Sequence, residues 1–407
     1  MLDTRMAAIH KLIRTLVVSI VCVCSTSPAV AQSKIKVGDC ITVTSNDATL
    51  RIRDADIAEL SKNQILLVEG VNEDWLWVSF KKNDVTFSGW LDRSYVRNHS
   101  LVSIKGHRFA ITNVLFSPDG KYIASSGGKY KYRGTGEVKL WNATTGNEVF
   151  ELKFNTDFVT GLAFDPDGRQ LIAGGGAFYG LGGELKTWEL NEGKELLARK
   201  MEHAGRFLGV CCSPDGKRIA AGSTDRILRV WDSTPGKEIM ALSGHRATVI
   251  WVSFSPSGDR LASSCIDGRI SLWDAQTGQS RLTILAHSGR SNKISFSPDG
   301  KRLVSAGDDG TLKVWDSTTG HNLLTIEGNQ GIIRGVAYSP DGKRLASGGH
   351  DNTVKLWDAI TGNLLYTLLG HSASVNDIAF DPTGKRVVSA GEDLTVKVWN
   401  VELVAQF

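Results

Sequence analysis

The sequence predicts an all-β protein, a ring of seven four-stranded sheets preceded by a small β-barrel. A tryptophan register, a repeated turn string and a second glycine turn predict the ring. Trp141, Trp188, Trp231, Trp273, Trp315, Trp357 and Trp399 follow one another at intervals of 47, 43, 42, 42, 42 and 42 residues. A string of the type FSPDGK precedes each of them (FDPDGR, CSPDGK, FSPSGD, YSPDGK and FDPTGK are its variants), and a Gly turn such as TTGN, TPGK or ITGN follows most of them. Proline presets one turn torsion and glycine supplies a positive one, so these strings are tight hairpin turns.

Each tryptophan lies in a short alternating segment, such as LKVWD or VKLWD, that reads as a strand with one buried face. Between the first turn and the tryptophan lies another strand, KRLASGG or KRVVSAG. Four short strands per repeat cannot bury both of their faces alone, so neighbouring sheets must stack, and radial closure does this without long free edges.

The recurring Gly-His, SPDG and Trp-Asp signatures over residues 101–407 resemble the WD-repeat family of the beta-transducin type. The resemblance implies a seven-bladed propeller in which an N-terminal segment supplies the outer strand of the last blade. Leu101-Val102-Ser103-Ile104 stands where that strand belongs, and the tail from Val401 to Phe407 competes for the same edge.

One constellation imitates a catalytic triad. His245, Ser263, Asp267 and Trp273 recur as His287, Ser305, Asp309 and Trp315, and again as His371, Ser389, Asp393 and Trp399, with offsets of 18, 4 and 6 residues each time. A base, an orienting acid and a hydroxyl are what nucleophilic catalysis requires. The family resemblance implies instead a hydrogen-bonded tetrad fastening the strands of one blade. The series also degrades elsewhere: Asn329 replaces the His, Ala221 replaces the Ser, and the first repeat keeps His107 and Ser125 without the Asp. A catalytic site is needed once and complete, whereas a fastener tolerates repetition and loss. The reading is therefore non-enzymatic, with no catalytic residues, no cofactor and no metal, since histidines spaced by 42 residues spread around a ring rather than converge.

Residues that depart from the repeat are candidates for partner binding. The loops of the first two repeats, GGKYKYRGTGE (127–137) and GGAFYGLGGE (175–184), are long and carry Tyr130, Tyr132, Arg133, Phe178 and Tyr179, a composition typical of interface anchors. Trp251 occupies a column whose other members are Asn113, Gly161, Gly209, Lys293, Gly335 and Asp377, so blade geometry does not demand an apolar residue there. Its place near the start of an innermost strand points it to the channel or its rim.

Residues 34–98 lack the repeat and show five short alternating segments, KVGDCITVTS, ATLRIR, QILLVEGV, DWLWVSF and SGWLDRSYV. The last two resemble the bacterial Src-homology-3-like domain, in which Trp75, Trp77, Trp90 and Tyr95 form a core or line a groove for peptide or cell-wall material.

The first 31 residues read as a secretory signal: Arg5, Lys11 and Arg14, an apolar run from Thr15 to Cys24, and the small-x-small site Ala29-Val30-Ala31. The run is too short to span a membrane. The net charge of the whole chain is +4, and loss of the leader lowers it, which argues against a nucleic-acid binder working by phosphate neutralisation. The sequence thus predicts an exported, periplasmic or secreted scaffold binding protein or peptide partners. The alternatives are an envelope anchor gripping wall material through the barrel and an enzyme using the propeller channel.

Overall fold

The computed structural model describes the strands between residues 40 and 98, and residues 100–401 apart from 130–135, 155, 178–181, 191–193, 202–204, 235 and 328–330. Tyr130, Tyr132, Arg133, Phe178, Tyr179, Asn329, the leader and the tail beyond Val401 lie outside the described residues.

Seven antiparallel four-stranded sheets follow one another along the chain: blade 1 (111–153), blade 2 (158–201), blade 3 (207–242), blade 4 (249–285), blade 5 (291–327), blade 6 (333–368) and blade 7 (375–400). Blade 7 contributes only three strands of its own. Its fourth is Ser100–Lys105, which pairs antiparallel with Thr395–Asn400, Val396 opposite Ile104 and Val398 opposite Val102. Of the two segments that compete for this edge, the N-terminal one takes it.

All seven register tryptophans are at most 5% exposed, and each stands where the pairing of the third and fourth strands shifts by one residue. The extra residue of such a bulge bends the strand and increases its twist. The hydrophobic clusters run between blades rather than within them. Trp357 packs with Val304, Leu312 and Val314 of the preceding blade, and Trp315 with Ala262, Ile270 and Leu272. A blade therefore completes its core only by stacking, as the sequence pattern requires.

The SPDG turns behave as their chemistry dictates. Gly120 adopts φ +70°, donates its N–H to the Ser117 carbonyl at 2.8 Å, and is followed by Lys121, whose N–H is held by the Asp119 carboxylate. Just beyond the turn, an arginine crosses to the neighbouring blade. Arg260 reaches the Gly300 carbonyl at 2.9 Å and lies over the Phe296 ring; Arg344 does the same to Gly384 and Phe380, and Arg386 to Gly120 and Phe116. Blades 1 and 2 carry Tyr122 and Gln170 at this position, and the ring beyond Gln170 is replaced by Cys212.

The N-terminal region forms one seven-stranded sheet rather than five strands. The segments Thr49–Ile52 and Ala55–Glu59 form a hairpin, and Val96–Asn98 adds a short strand beside Cys40–Val43. Within the sheet Trp77 stands opposite Trp90. Among the described residues no helix is long and apolar enough to cross a membrane.

Candidate functional site: the mouth of the propeller channel

The innermost strand of every blade starts at the same end of the ring, and near that start each blade places one side chain on the rim of the central channel. In four blades this side chain fastens the ring. Thr112 donates to the Val159 carbonyl, Thr160 to the Phe207 carbonyl at 3.2 Å, Asn292 to the Ile333 carbonyl at 2.8 Å and Asn376 to the Ile111 carbonyl at 2.9 Å. Blades 3 and 4 carry Leu208 and Ile250 instead, which have nothing to donate. The result is an apolar arc, extended by Phe158 and Trp251. Blade 6 carries Arg334, whose Nε donates to His350 Nε2 at 3.0 Å.

One residue further along each strand is the column containing Trp251, and here the sequence reading missed the chemistry. Lys293 and Asp377 form an ion pair, and Lys293 Nζ also donates to the Ile378 carbonyl at 3.1 Å while lying 4.7 Å from the Trp251 ring centroid. The other Asp377 oxygen accepts from Asn113 Nδ2 and from the Val114 N–H at 3.0 Å, and Asn113 Oδ1 accepts the Leu162 N–H at 3.0 Å. Asp377 and Asn113 are at most 2% exposed and Lys293 is 9% exposed. A buried pair of charges is tolerable when its polar atoms find partners, and here Lys293 has two oxygen acceptors beside the Trp251 ring while Asp377 accepts three hydrogen bonds. The glycines of the column make the approach possible: a Cβ on Gly335 would sit 3.0 Å from the Asp377 Cα, and one on Gly209 would sit 2.6 Å from the Trp251 Cα. The network forms the floor of a cavity of about 320 Å³ at the mouth, with the apolar arc of blades 2 to 4 on one side and polar blades 5 to 7 on the other.

The triad-like groups lie elsewhere, inside the blades. In blade 5, His287 donates Nδ1–H to Asp309 at 2.9 Å, Ser305 Oγ–H donates to His287 Nε2 at 2.8 Å, and Trp315 Nε1–H donates to Ser305 Oγ at 2.9 Å. Blade 7 repeats this with His371, Asp393, Ser389 and Trp399 at 2.7–2.8 Å. Burial pushes the His287 and His371 imidazoles down, and the partner aspartates offset this only in part, which favours the neutral ring. Ser305 and Ser389 are fully buried, so no substrate reaches either hydroxyl.

Blade 4 does not assemble its tetrad. Ser263 joins His245 Nε2 and Trp273, both at 2.9 Å, but Asp267 turns to Arg269 at 2.9 Å and His245 Nδ1 has no partner. The physical reason is the residue two positions after the aspartate. Thr311 and Thr395 each bond that aspartate at 2.8 Å and hold it under the histidine, whereas Arg269 draws it away as a salt bridge. Blade 1, which lacks the aspartate, fills its place with Glu137 from the third strand. Glu137 accepts from His107 Nδ1 at 3.0 Å and from Arg108 Nε at 2.6 Å, and His107 Nε2 lies 2.6 Å from Ser125 Oγ. Burial would raise this carboxyl, but the His107 and Arg108 hydrogen bonds outweigh it and hold it at about 2.

Of the residues singled out for partner binding, Trp251 stands on the mouth, half-buried. The long loops spring from Gly127 and Glu137 in blade 1 and from Gly176 and Gly183 in blade 2, strand ends on that same face. Cys265 is buried, Cys211 and Cys212 are half-buried, and burial pushes the Cys212 and Cys265 thiols up to about 12.

Seven repeats with the WD domain, G-beta repeat pattern match this chain at residues 98–142, 146–188, 195–232, 236–274, 278–316, 320–358 and 362–400, well over half of its length. The chain belongs to the WD-repeat family. Among curated WD-repeat relatives it is 28% identical over 188 residues to the periodic tryptophan protein 2 homolog of Dictyostelium discoideum, covering 45% of this chain and 19% of that protein. It is 33% identical over 190 residues to the small ribosomal subunit protein RACK1 of Caenorhabditis elegans, covering 42% of this chain and 54% of that protein. A shorter likeness, 48% over 42 residues, joins it to the human U5 small nuclear ribonucleoprotein 40 kDa protein, over 10% of this chain and 12% of that one. The chain thus spans about a fifth of the length of the first relative and about half of the second.

Proposed function

We propose that this WD-repeat chain is a non-enzymatic scaffold that binds a protein partner on the face carrying the channel mouth. One observation carries the reading. The only triad-like groups among the described residues are sealed inside blades, while the mouth presents a concave surface, apolar on one side and polar on the other, over a satisfied floor. Concave sites of mixed character are where ligands are held. The names of two relatives, a ribosomal subunit protein and a ribonucleoprotein protein, are in keeping with a role inside assemblies.

The basic and apolar leader with its small-residue site supports export to the periplasm or beyond. The alternating Trp strands of the N-terminal sheet support a Src-homology-3-like barrel beside the propeller. In that setting the long loops with Tyr130, Tyr132, Arg133, Phe178 and Tyr179 would extend the binding face. The test is affinity capture from an envelope extract with the full chain and with Trp251→Ala. A partner lost with Trp251 at unchanged thermal stability supports the mouth, and a partner retained at full strength removes it. Mass spectrometry of the N-terminus checks export, with Gln32 as the expected first residue.

A further inference from the structure

The mouth has more definite chemistry than a general protein-binding face. Its charged groups fall into two classes. Lys293 and Asp377 neutralise one another and are held within the floor. Arg334 is not neutralised: its Nε is spent on His350, and its two terminal nitrogens have no partner among the described residues. Arg334 lines the cavity and is half-buried, on blade 6, across from Leu208, Ile250 and Trp251 of blades 3 and 4. Glu392, on blade 7, also lacks a partner among the described residues, but it is exposed and solvated at the edge, where a charge is screened and contributes little. An uncompensated guanidinium in a concave, partly apolar site attracts an anion far more effectively, and its planar fork matches a carboxylate.

We infer that the mouth takes a peptide segment in which a large apolar side chain stands beside a carboxylate, the apolar group lying on Trp251 and Ile250 and the carboxylate on Arg334. This rests on the scaffold reading above and narrows it to one class of occupant. A cavity of about 320 Å³ is at the small end of ligand pockets. It admits one large side chain and its adjoining backbone, not a folded domain. The pairing of Arg334 Nε with His350 Nε2, an exposed side-chain hydrogen bond at 3.0 Å, leaves both terminal nitrogens of the guanidinium open to a ligand at the rim.

The test uses the full chain and a phage-displayed library of random peptides. The selected peptides are expected to share an aromatic or long aliphatic residue within two positions of Asp or Glu. A synthetic peptide of that kind should lose affinity about tenfold when its acid is changed to the amide. Arg334→Gln should lose the same factor against the acid peptide and almost nothing against the amide peptide, with an unchanged melting temperature. Trp251→Ala should weaken both peptides alike. Peptides selected without acidic residues, or equal weakening of acid and amide by Arg334→Gln, would overturn the inference while leaving the scaffold reading in place. A chain that selects no peptide, yet still captures its partner from an envelope extract, refutes the peptide class. A chain that does neither removes the scaffold reading and the inference together.

Discussion

Blades 4 and 5 are neighbours with the same His, Ser, Asp and Trp at the same offsets, yet only blade 5 joins all four. In blade 5 the aspartate is clasped by Thr311 and delivered to His287. In blade 4 the position of that threonine is taken by Arg269, the aspartate leaves, and His245 Nδ1 is stranded in the protein interior. The lesson is that a motif of four residues is completed by a fifth that no signature includes. A local contest between a hydroxyl and a guanidinium for one carboxylate decides whether a buried network closes. Blade 1 makes the converse point, since it lacks the motif aspartate and still closes, with a carboxylate from a different strand.

This contrast can be broken or sharpened by experiment. The largest effect is expected at acid pH in blade 1. The Glu137 carboxyl lies at about 2 in the folded chain against an ordinary value of 4.5, so the folded state binds its proton less readily than the unfolded chain. The corresponding stability, on the order of 3 kcal/mol, is present above pH 4.5 and drains away as the pH falls towards 2. Denaturant titrations across that range should show a flatter acid limb for Glu137→Gln than for the parent chain.

Next in size are the hydroxyls that hold the tetrads. Ser305→Ala leaves both a histidine nitrogen and an indole N–H unpaired in a closed network, and should cost about 2 kcal/mol. Ser263→Ala removes the same two bonds where the histidine is already half free to reorient, and should cost about 1 kcal/mol. Equal losses in the two blades would show that the open tetrad is as rigid as the closed one.

The smallest effect is a gain. Arg269→Thr should return Asp267 to His245 and stabilise the chain by about 1 kcal/mol, seen as a rise of about 2 °C in melting temperature. Adding Asp267→Asn should cancel that rise. If Arg269→Thr lowers stability instead, the salt bridge on the rim is worth more than the buried bond it displaced.

Much of this was legible in advance, and the boundary has a physical origin. The spacing of Trp231 to Trp357 located the blades because each of these tryptophans stands opposite a bulge in the strand that follows it, a local event; Trp399 keeps the register although its partner strand is the distant Ser100–Lys105. The segment from Leu101 to Ile104 stood in the right place to close blade 7, but only the alignment of Val398 with Val102 decided between it and the tail. The tetrads were readable as columns, whereas the substitute role of Glu137 was hidden because it lies 30 residues after His107, beyond a long loop, and the aspartates lie 22 after theirs. The channel floor was visible only as a column of unlike residues around Trp251. Its meaning depends on closing the ring, which brings together Lys293 and Asp377, 84 residues apart, and Asn113 and Asp377, 264 apart. No window of sequence short enough to show periodicity contains such a pair.

The strand that completes blade 7 also sets a timetable. Ser100–Lys105 is made before any blade and has no partner until Thr395–Asn400, the last-made strand of the ring, has emerged. Six blades can stack as they emerge, each closing a stretch of about 42 residues, while the ring stays an open arc with one bare strand held in reserve. The entropy of the final closure is modest. Even for a fully flexible chain, joining Ser103 to Lys397 across 294 residues costs only about 2 kcal/mol more than closing one repeat, because the penalty grows with the logarithm of length, and blades that have already stacked leave less freedom to lose. The same act that seats this strand brings Asp377 to Asn113 and so finishes the floor of the mouth. A nascent or truncated chain therefore carries stacked blades without a binding site, and the site comes into being in one step, when the chain's two distant strands meet.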